Sequence, residues 1–553
     1  MMGRAVIDHR FGGNRMLRPM RRALAALAAG LLLVGPAGAE PADPFAQLDA
    51  KWRAPNAYRT ASGAPGPKYW QQTVDYAIEA RLDTENQRIE GRVEIVYTNN
   101  SPHSLDYLWL QLDQNRFEPR SVSQSSRSDA AEGGLSMARL EELTTVETGK
   151  FGYDIAAVTD GQGEPMETTI RDTMMRVELD APLKPDARVE LAVEYSYAVP
   201  STKHMSNRTA YETLESGARN YFIAMWYPRM AAYTDTEGWI VKSFLYGEPA
   251  LDFADYDVEI TLPETFTVAA TGTLENPKEV LAGEQRERLA EARRADSPQF
   301  VITPDEAEAR AEAEAEGTQT WHFTAERVRD FAFAASPAFI WDAMGYRTRD
   351  GRRVLAQSLY PPEAMPLWHR FSTQAAVHTL DVYGRMTKPY PYPHATSINA
   401  PIQSGMEYPM LAANAPRPQP DGTYSRATKY GLIGVVIHEV GHNWFPMIVN
   451  SNERHWLWMD EGLNSFLDAM ALRLWEKDAP YVSDPPRNAI EAMTREEQRP
   501  IMTQSDAYIH RGATGYTKPA AALTVLRETI LGRELFDKAF KEYAERWWFK
   551  RPT

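Results

Sequence analysis

The 553-residue sequence contains no cysteine. That excludes disulfides, thiolate metal ligands, a cysteine nucleophile and a lipoprotein anchor, so stability has to come from packing. Positive charge is in deficit: 60 Lys and Arg against 75 Asp and Glu give a formal net charge of −15. This argues against a nucleic-acid partner, because phosphate binding needs clustered cations. Long apolar runs are missing too. Ala23 to Val34 is about a dozen residues, short of the ~20 that cross a bilayer, and no later stretch reaches that length. It follows Arg15, Arg18, Arg21 and Arg22 and precedes Ala37-Gly38-Ala39, the pattern of a signal peptide cleaved before Glu40. The sequence thus predicts an exported protein, periplasmic or secreted, with no integral membrane segment once residues 1–39 are removed.

What is present points to several cores. Apolar residues make up 43% and aromatics 11% of a chain too long for one ordinary domain. Residues 40–67, rich in Pro and Ala, read as a linker. From 68 to 345, short alternating runs bounded by turn residues predict an antiparallel β domain. Val74 to Ala80, Gly91 to Tyr97, Leu108 to Leu112, Val189 to Tyr197 and Asp257 to Leu262 are the clearest. Residues 284–316, dense in Glu, Arg and Ala, interrupt it as a charged insertion, helical and solvated or disordered. After residue 346 the period becomes helical, with helices expected at 365–386, 429–446 and 460–476. The fold class is therefore multidomain α+β, a β domain followed by a mainly helical one.

Histidine is scarce, at 11 residues, which sharpens one cluster. His438-Glu439-Val440-Gly441-His442 ends an apolar helical run. Residues four apart share a helix face, so both imidazoles can reach one ion while Glu439 faces the solvent ligand beside it. Two satisfied core histidines would be the bland alternative. Glu461, in Trp458-Met459-Asp460-Glu461-Gly462, follows His442 after eighteen intervening residues and opens the next helix, with Asp460 suited to cap it. Two His, one carboxylate and an open fourth position describe a catalytic zinc site, held by His438, His442 and Glu461. As an alternative, Glu461 is an acid favoured by the helix dipole.

These residues resemble the gluzincin metallopeptidases, specifically the aminopeptidase N family. Ser404-Gly405-Met406-Glu407-Tyr408 resembles that family's G-x-M-E-N motif, and Tyr516-Thr517-Lys518-Pro519-Ala520 its Y-x-K-G-A segment. Tyr408, Asp460 and Pro519 depart from the pattern. The resemblance implies that residues 346–553 are a thermolysin-like catalytic domain, truncated at its C-terminus relative to the family. It implies a one-zinc aminopeptidase acting on peptides with a free N-terminus, in which Glu439 is general base toward a zinc-bound water and Tyr516 donates to the oxyanion. Gly405, Met406 and Glu407 would contact substrate, with Glu407 taking the α-ammonium. The N-terminal-domain residue that also meets the amine is expected near Trp226-Tyr227-Pro228-Arg229, without assignment. Two other readings stay open, a thermolysin-like endopeptidase and a non-catalytic peptide-binding protein that kept its zinc. His369, His378, His394 and His455 lack ligand spacing and are expected to pack. Oligomeric state is not legible.

Overall fold

The computed structural model describes residues 54–126, 136–205, 208–245, 248–476, 484–495 and 498–553. The signal segment expected at 1–39 and the first part of the expected linker lie outside them. From residue 54 the chain runs along the C-terminal end of the molecule, where Arg59 pairs with Asp235 and donates to the Arg551 carbonyl.

The first half is β-rich. Its largest sheet has seven strands, in the order Thr273–Leu274, Thr318–Val328, Ala254–Pro263, Thr73–Asp83, Arg88–Thr98, Arg188–Ala198 and Asp154–Asp160. Alternate residues of Thr73–Asp83 are buried, so Val74, Tyr76, Ile78, Ala80 and Leu82 enter the core while the intervening residues stay outside. The sheet is antiparallel but for one pair, Thr73–Asp83 beside Ala254–Pro263. The expected charged insertion is helical, with a buried strand that was not foreseen. Its helices Gly283–Ala292 and Pro304–Glu312 flank a strand, Gln299–Ile302, whose Val301 and Ile302 are fully buried. Charge density concealed a two-residue apolar anchor, which is too short to show as a period.

That strand opens a six-stranded sheet continuing through Ile340–Arg347, Arg353–Tyr360, His394–Asn399, Leu411–Asn414 and Gly405–Tyr408. The boundary expected at 345 therefore cuts a hairpin in which Gly345 pairs with Leu355. Against this sheet lie two helices, Leu367–Met386 and Arg426–Gly441, and a third, Glu461–Trp475, packs on both of them. Ser425 caps the second by accepting from the Thr428 N–H at 3.0 Å. Leu432, Ile433, Val436, Ile437 and Val440 bury it. A last helix, Arg533–Arg546, sets Phe540 against Phe445 and Phe466.

Buried ion pairs tie the two halves together just ahead of Glu461. Arg229 lies between Asp113 and Asp330, and Arg454 reaches Asp113 at 3.4 Å and Gln111 at 3.0 Å. Arg329 binds Glu453. Removing one partner of such a pair leaves an uncompensated buried charge, a cost of about 3–5 kcal/mol. The network thus fixes where the 450–460 segment enters the site.

His394 joins the halves without charge. Its ring contacts Thr396 Oγ1 at 2.9 Å and the Gly272 carbonyl at 2.6 Å. Burial is the main reason its pKa falls from 6.5 to about 4. A depressed histidine binds fewer protons folded than unfolded, so its contribution is present above pH 6.5 and disappears as pH falls through 4. The full effect is roughly 3 kcal/mol. Urea melts of wild type and His394→Gln across pH 4–7 are expected to show a shallower acid-side loss of stability in the variant. Parallel profiles would refute this. His369, His378 and His455 also pack, against Asp342, the Ala471 carbonyl and Glu237.

Candidate active site

The 426–441 helix delivers two imidazoles to one point. His438 Nε2 and His442 Nε2 are 3.1 Å apart, and Glu461 Oε2 lies 3.2 Å from the first and 3.3 Å from the second. His442 follows directly on the last helical residue and keeps α geometry, which preserves the four-residue spacing. Glu461 is the first residue of the facing helix. Gly462 lets that helix approach closely, since a Cβ there would meet Pro519 Cγ at 2.4 Å.

The imidazole tautomers are fixed from behind. His438 Nδ1 donates to Asp468 Oδ2 at 2.6 Å, and His442 Nδ1 donates to the Phe445 carbonyl at 2.9 Å. Both partners can only accept, so in the neutral rings each Nε2 presents a lone pair. Three acceptor atoms then face one another at 3.1–3.3 Å, which is repulsive without a cation among them. A tetrahedral zinc with bonds of ~2.0–2.1 Å needs ligand–ligand edges of about 3.3 Å. The donor set fits zinc. The electrostatics agree: burial would lower the pKa of His438, yet Asp468 and Glu461 raise it to about 10. His442 is likewise raised, against burial, by Glu407, Asp460 and Glu461. The site attracts positive charge.

Asp460 does not cap its helix as expected. Its side chain makes no capping hydrogen bond, and Oδ1 stands 2.9 Å from His442 Nδ1. The Asp460 carboxylate faces the buried His442 imidazole in place of the N–H groups at the helix start. Asp468 was missed by sequence reasoning although its signal was present: seven residues, two helical turns, separate it from Glu461.

A cavity of about 530 Å³ opens over the triad. Gly405, Met406, Glu407, Glu439 and Tyr516 line it with the three candidate ligands. Glu407 lies on the edge strand Gly405–Tyr408, is 4% exposed, and its Oε1 has no hydrogen-bond partner. Glu439 Oε2 is also buried and unpartnered. Burial pushes the Glu439 pKa up to about 8 against the pull of both histidines. Gly405 lines the cavity and has a further reason beside the one expected. A Cβ there would meet Glu439 Oε1 at 2.1 Å, so the bare backbone makes room for Glu439. Tyr516 donates to Glu461 Oε1, and its ring stacks on His438 at 6.1 Å. Tyr408 is buried against Phe222 and is not among the cavity-lining residues.

Residues 371–552 match the Peptidase family M1 domain. The matched segment carries His438, His442 and Glu461 and leaves the β-rich half outside it. A match to this peptidase domain implies zinc, and the triad is the candidate group that fits it. The fold is that of two-domain M1 zinc metallopeptidases. A mutant of the Deinococcus radiodurans M1 zinc metallopeptidase matches with a TM-score of 0.52 at 15% identity, over 88% of this chain and 90% of that one. A two-domain M1 zinc metallopeptidase mutant bound to L-arginine gives 0.53 at 15% identity, over 87% and 88%. Among curated proteins, mouse endoplasmic reticulum aminopeptidase 1 is 26% identical over 133 residues. That alignment spans 23% of this chain and only 14% of the mouse protein.

The M1 domain does not build its cavity alone. Arg208 and Glu248, from the β-rich half, line it too, and neither was foreseen. Trp226, Tyr227 and Arg229, the neighbourhood expected to supply an amine contact, are fully buried and do not line it. Loop residues that arrive from a different domain leave no local period to read.

Proposed function

We propose that the protein is a zinc-dependent aminopeptidase. The observation that carries this reading is the Glu407 carboxylate, buried within the metal cavity with one oxygen unpartnered. Its ligand oxygen lies within 4.8 Å of His442 and Asp460 ligand atoms. A buried carboxylate without a partner is costly, and the α-ammonium of a peptide is the cation that would complete it. An endopeptidase would leave Glu407 unpaired beside an internal peptide nitrogen. A D. radiodurans relative is described as bound to a Tyr-Ser-Ala substrate, at 15% identity and a TM-score of 0.53. This is in keeping with short peptides bearing free amines.

His438, His442 and Glu461 would hold one zinc. When bound, it supplies Lewis acidity toward water and the scissile carbonyl. The chain's own groups do the rest. Glu407 fixes the ammonium and so sets cleavage at the first bond. Glu439, next to His438 and lodged against Gly405, takes the proton of the attacking water and returns it to the leaving nitrogen. The Tyr516 hydroxyl, which donates to Glu461 Oε1 in the free site, would pass its hydrogen bond to the carbonyl oxygen as charge builds, a contribution of ~3 kcal/mol where such donors have been removed. Met406, also lining the cavity, offers apolar surface to the first side chain.

Glu407→Ala separates exopeptidase from endopeptidase action. Losing a charged, buried partner is expected to cut kcat/KM on aminoacyl amides by roughly 10²-fold or more. N-acetylated peptides should be turned over poorly by both proteins. Equal activity of wild type on acetylated and free-amine peptides would sink the aminopeptidase reading. We further propose that it acts outside the cytoplasm after cleavage before Glu40. N-terminal sequencing of the mature protein tests this.

A further inference from the structure

Beside the triad, two guanidinium groups flank one carboxylate. Arg208 donates to both oxygens of Glu248, and Arg511 Nη2 lies 3.6 Å from Glu248 Oε1. All three line the cavity. Glu248 is ionised: burial would raise its pKa, but Arg208 and then Arg511 hold it below the usual carboxylate range. One negative charge between two positive ones leaves a surplus of one. The surplus sits with Arg511, whose side chain is 38% exposed against 23% for Arg208. A guanidinium has five N–H donors. Among the described residues, Arg511 makes this single ion pair, and it is a long one.

A local irregularity aims Arg511 at the reaction centre. It precedes a π-helical turn, Gly512–Thr517, that also carries Tyr516. In an α-helix, residues five apart point about 140° from each other. In a turn closed by i→i+5 hydrogen bonds they fall on the same side, so Arg511 and Tyr516 enter one cavity together. The other charges there are committed. Glu461 belongs to the metal triad, Asp468 to His438, Glu407 to the substrate amine, and Glu439 to proton transfer. Arg511 is the charge left over.

We infer that Arg511 is a specificity residue that binds a carboxylate of the substrate, so that the enzyme prefers peptides carrying one close to the scissile bond. That carboxylate belongs either to an acidic side chain or to the free C-terminus of a short peptide. The inference rests on the aminopeptidase reading and narrows its substrate class.

Two matched pairs distinguish the sources. Ala-Ala is compared with Ala-Ala amide, and a Glu with a Gln aminomethylcoumarin amide, on wild type, Arg511→Gln and Arg511→Lys. Wild type should favour the carboxylate member of at least one pair. Arg511→Gln should shrink that preference by roughly 10- to 100-fold, with Lys between, because a charge-assisted fork is lost. A change confined to the first pair assigns the C-terminus; one confined to the second assigns the side chain. Calorimetric binding of both dipeptides to Glu439→Gln and to Glu439→Gln/Arg511→Gln reads the same preference without turnover. If wild type cleaves no free-amine substrate, the aminopeptidase reading falls and this binding arm still decides. No preference in wild type, or a preference that survives Arg511→Gln, overturns the inference.

Discussion

Glu439→Gln is expected to lower kcat by roughly 10²- to 10⁴-fold, the usual contribution of a positioned general base. The substitution is nearly isosteric, so the fit against Gly405, where a Cβ would come within 2.1 Å of Oε1, is retained. Glu439 is 6% exposed, so a shorter side chain would add a cavity and blur the result. Burial raises its pKa against the pull of both histidines. A dication beside it favours the carboxylate, which is the form a base needs. Zinc content and thermal stability should stay at wild-type levels, since Glu439 is not one of the three converging donors. Single-turnover rates and metal analysis on the same preparation make the test. A kcat within tenfold of wild type, or loss of metal, would remove Glu439 from its proposed role.

The other large effect concerns the carboxylate ligand. Glu461→Ala leaves two Nε2 atoms 3.1 Å apart without the oxygen that completes the triangle. Burial would raise the pKa of Glu461, but His442 and His438 hold it well below the carboxylate range. It is the anionic charge a dication would meet. Zinc affinity should fall at least about a hundredfold, because fewer donors and less charge remain. Peptidase activity should drop to background and not return on adding zinc. Ligand binding to the folded state raises stability by mass action. A chelator should therefore lower the melting temperature of wild type and leave that of Glu461→Ala unchanged. Full zinc occupancy in the variant would sink the assignment of the triad.

Sequence and structure contributed differently, for a physical reason. Periodicity is local, and everything written in local period was legible. The alternating strand Thr73–Asp83, the helices Leu367–Met386 and Glu461–Trp475, and the shared face of His438 and His442 all follow from spacings of two or four residues. Asp468 belongs with them, being two turns from Glu461. The candidate triad was therefore legible in the sequence itself: two imidazoles at helical spacing and an acid opening the next helix, in a chain without thiolates, point to a zinc of the catalytic type. Only the tertiary structure decided the rest. Asp460 turned from its helix end to the buried His442 imidazole. Val301 and Ile302 anchored a charged insertion because a neighbouring strand happened to offer an edge. Arg208 and Glu248 reached the cavity across a domain junction, and Arg511 through a turn that breaks the α period. Long-range contacts depend on where whole elements dock, and no window of neighbouring residues holds that information.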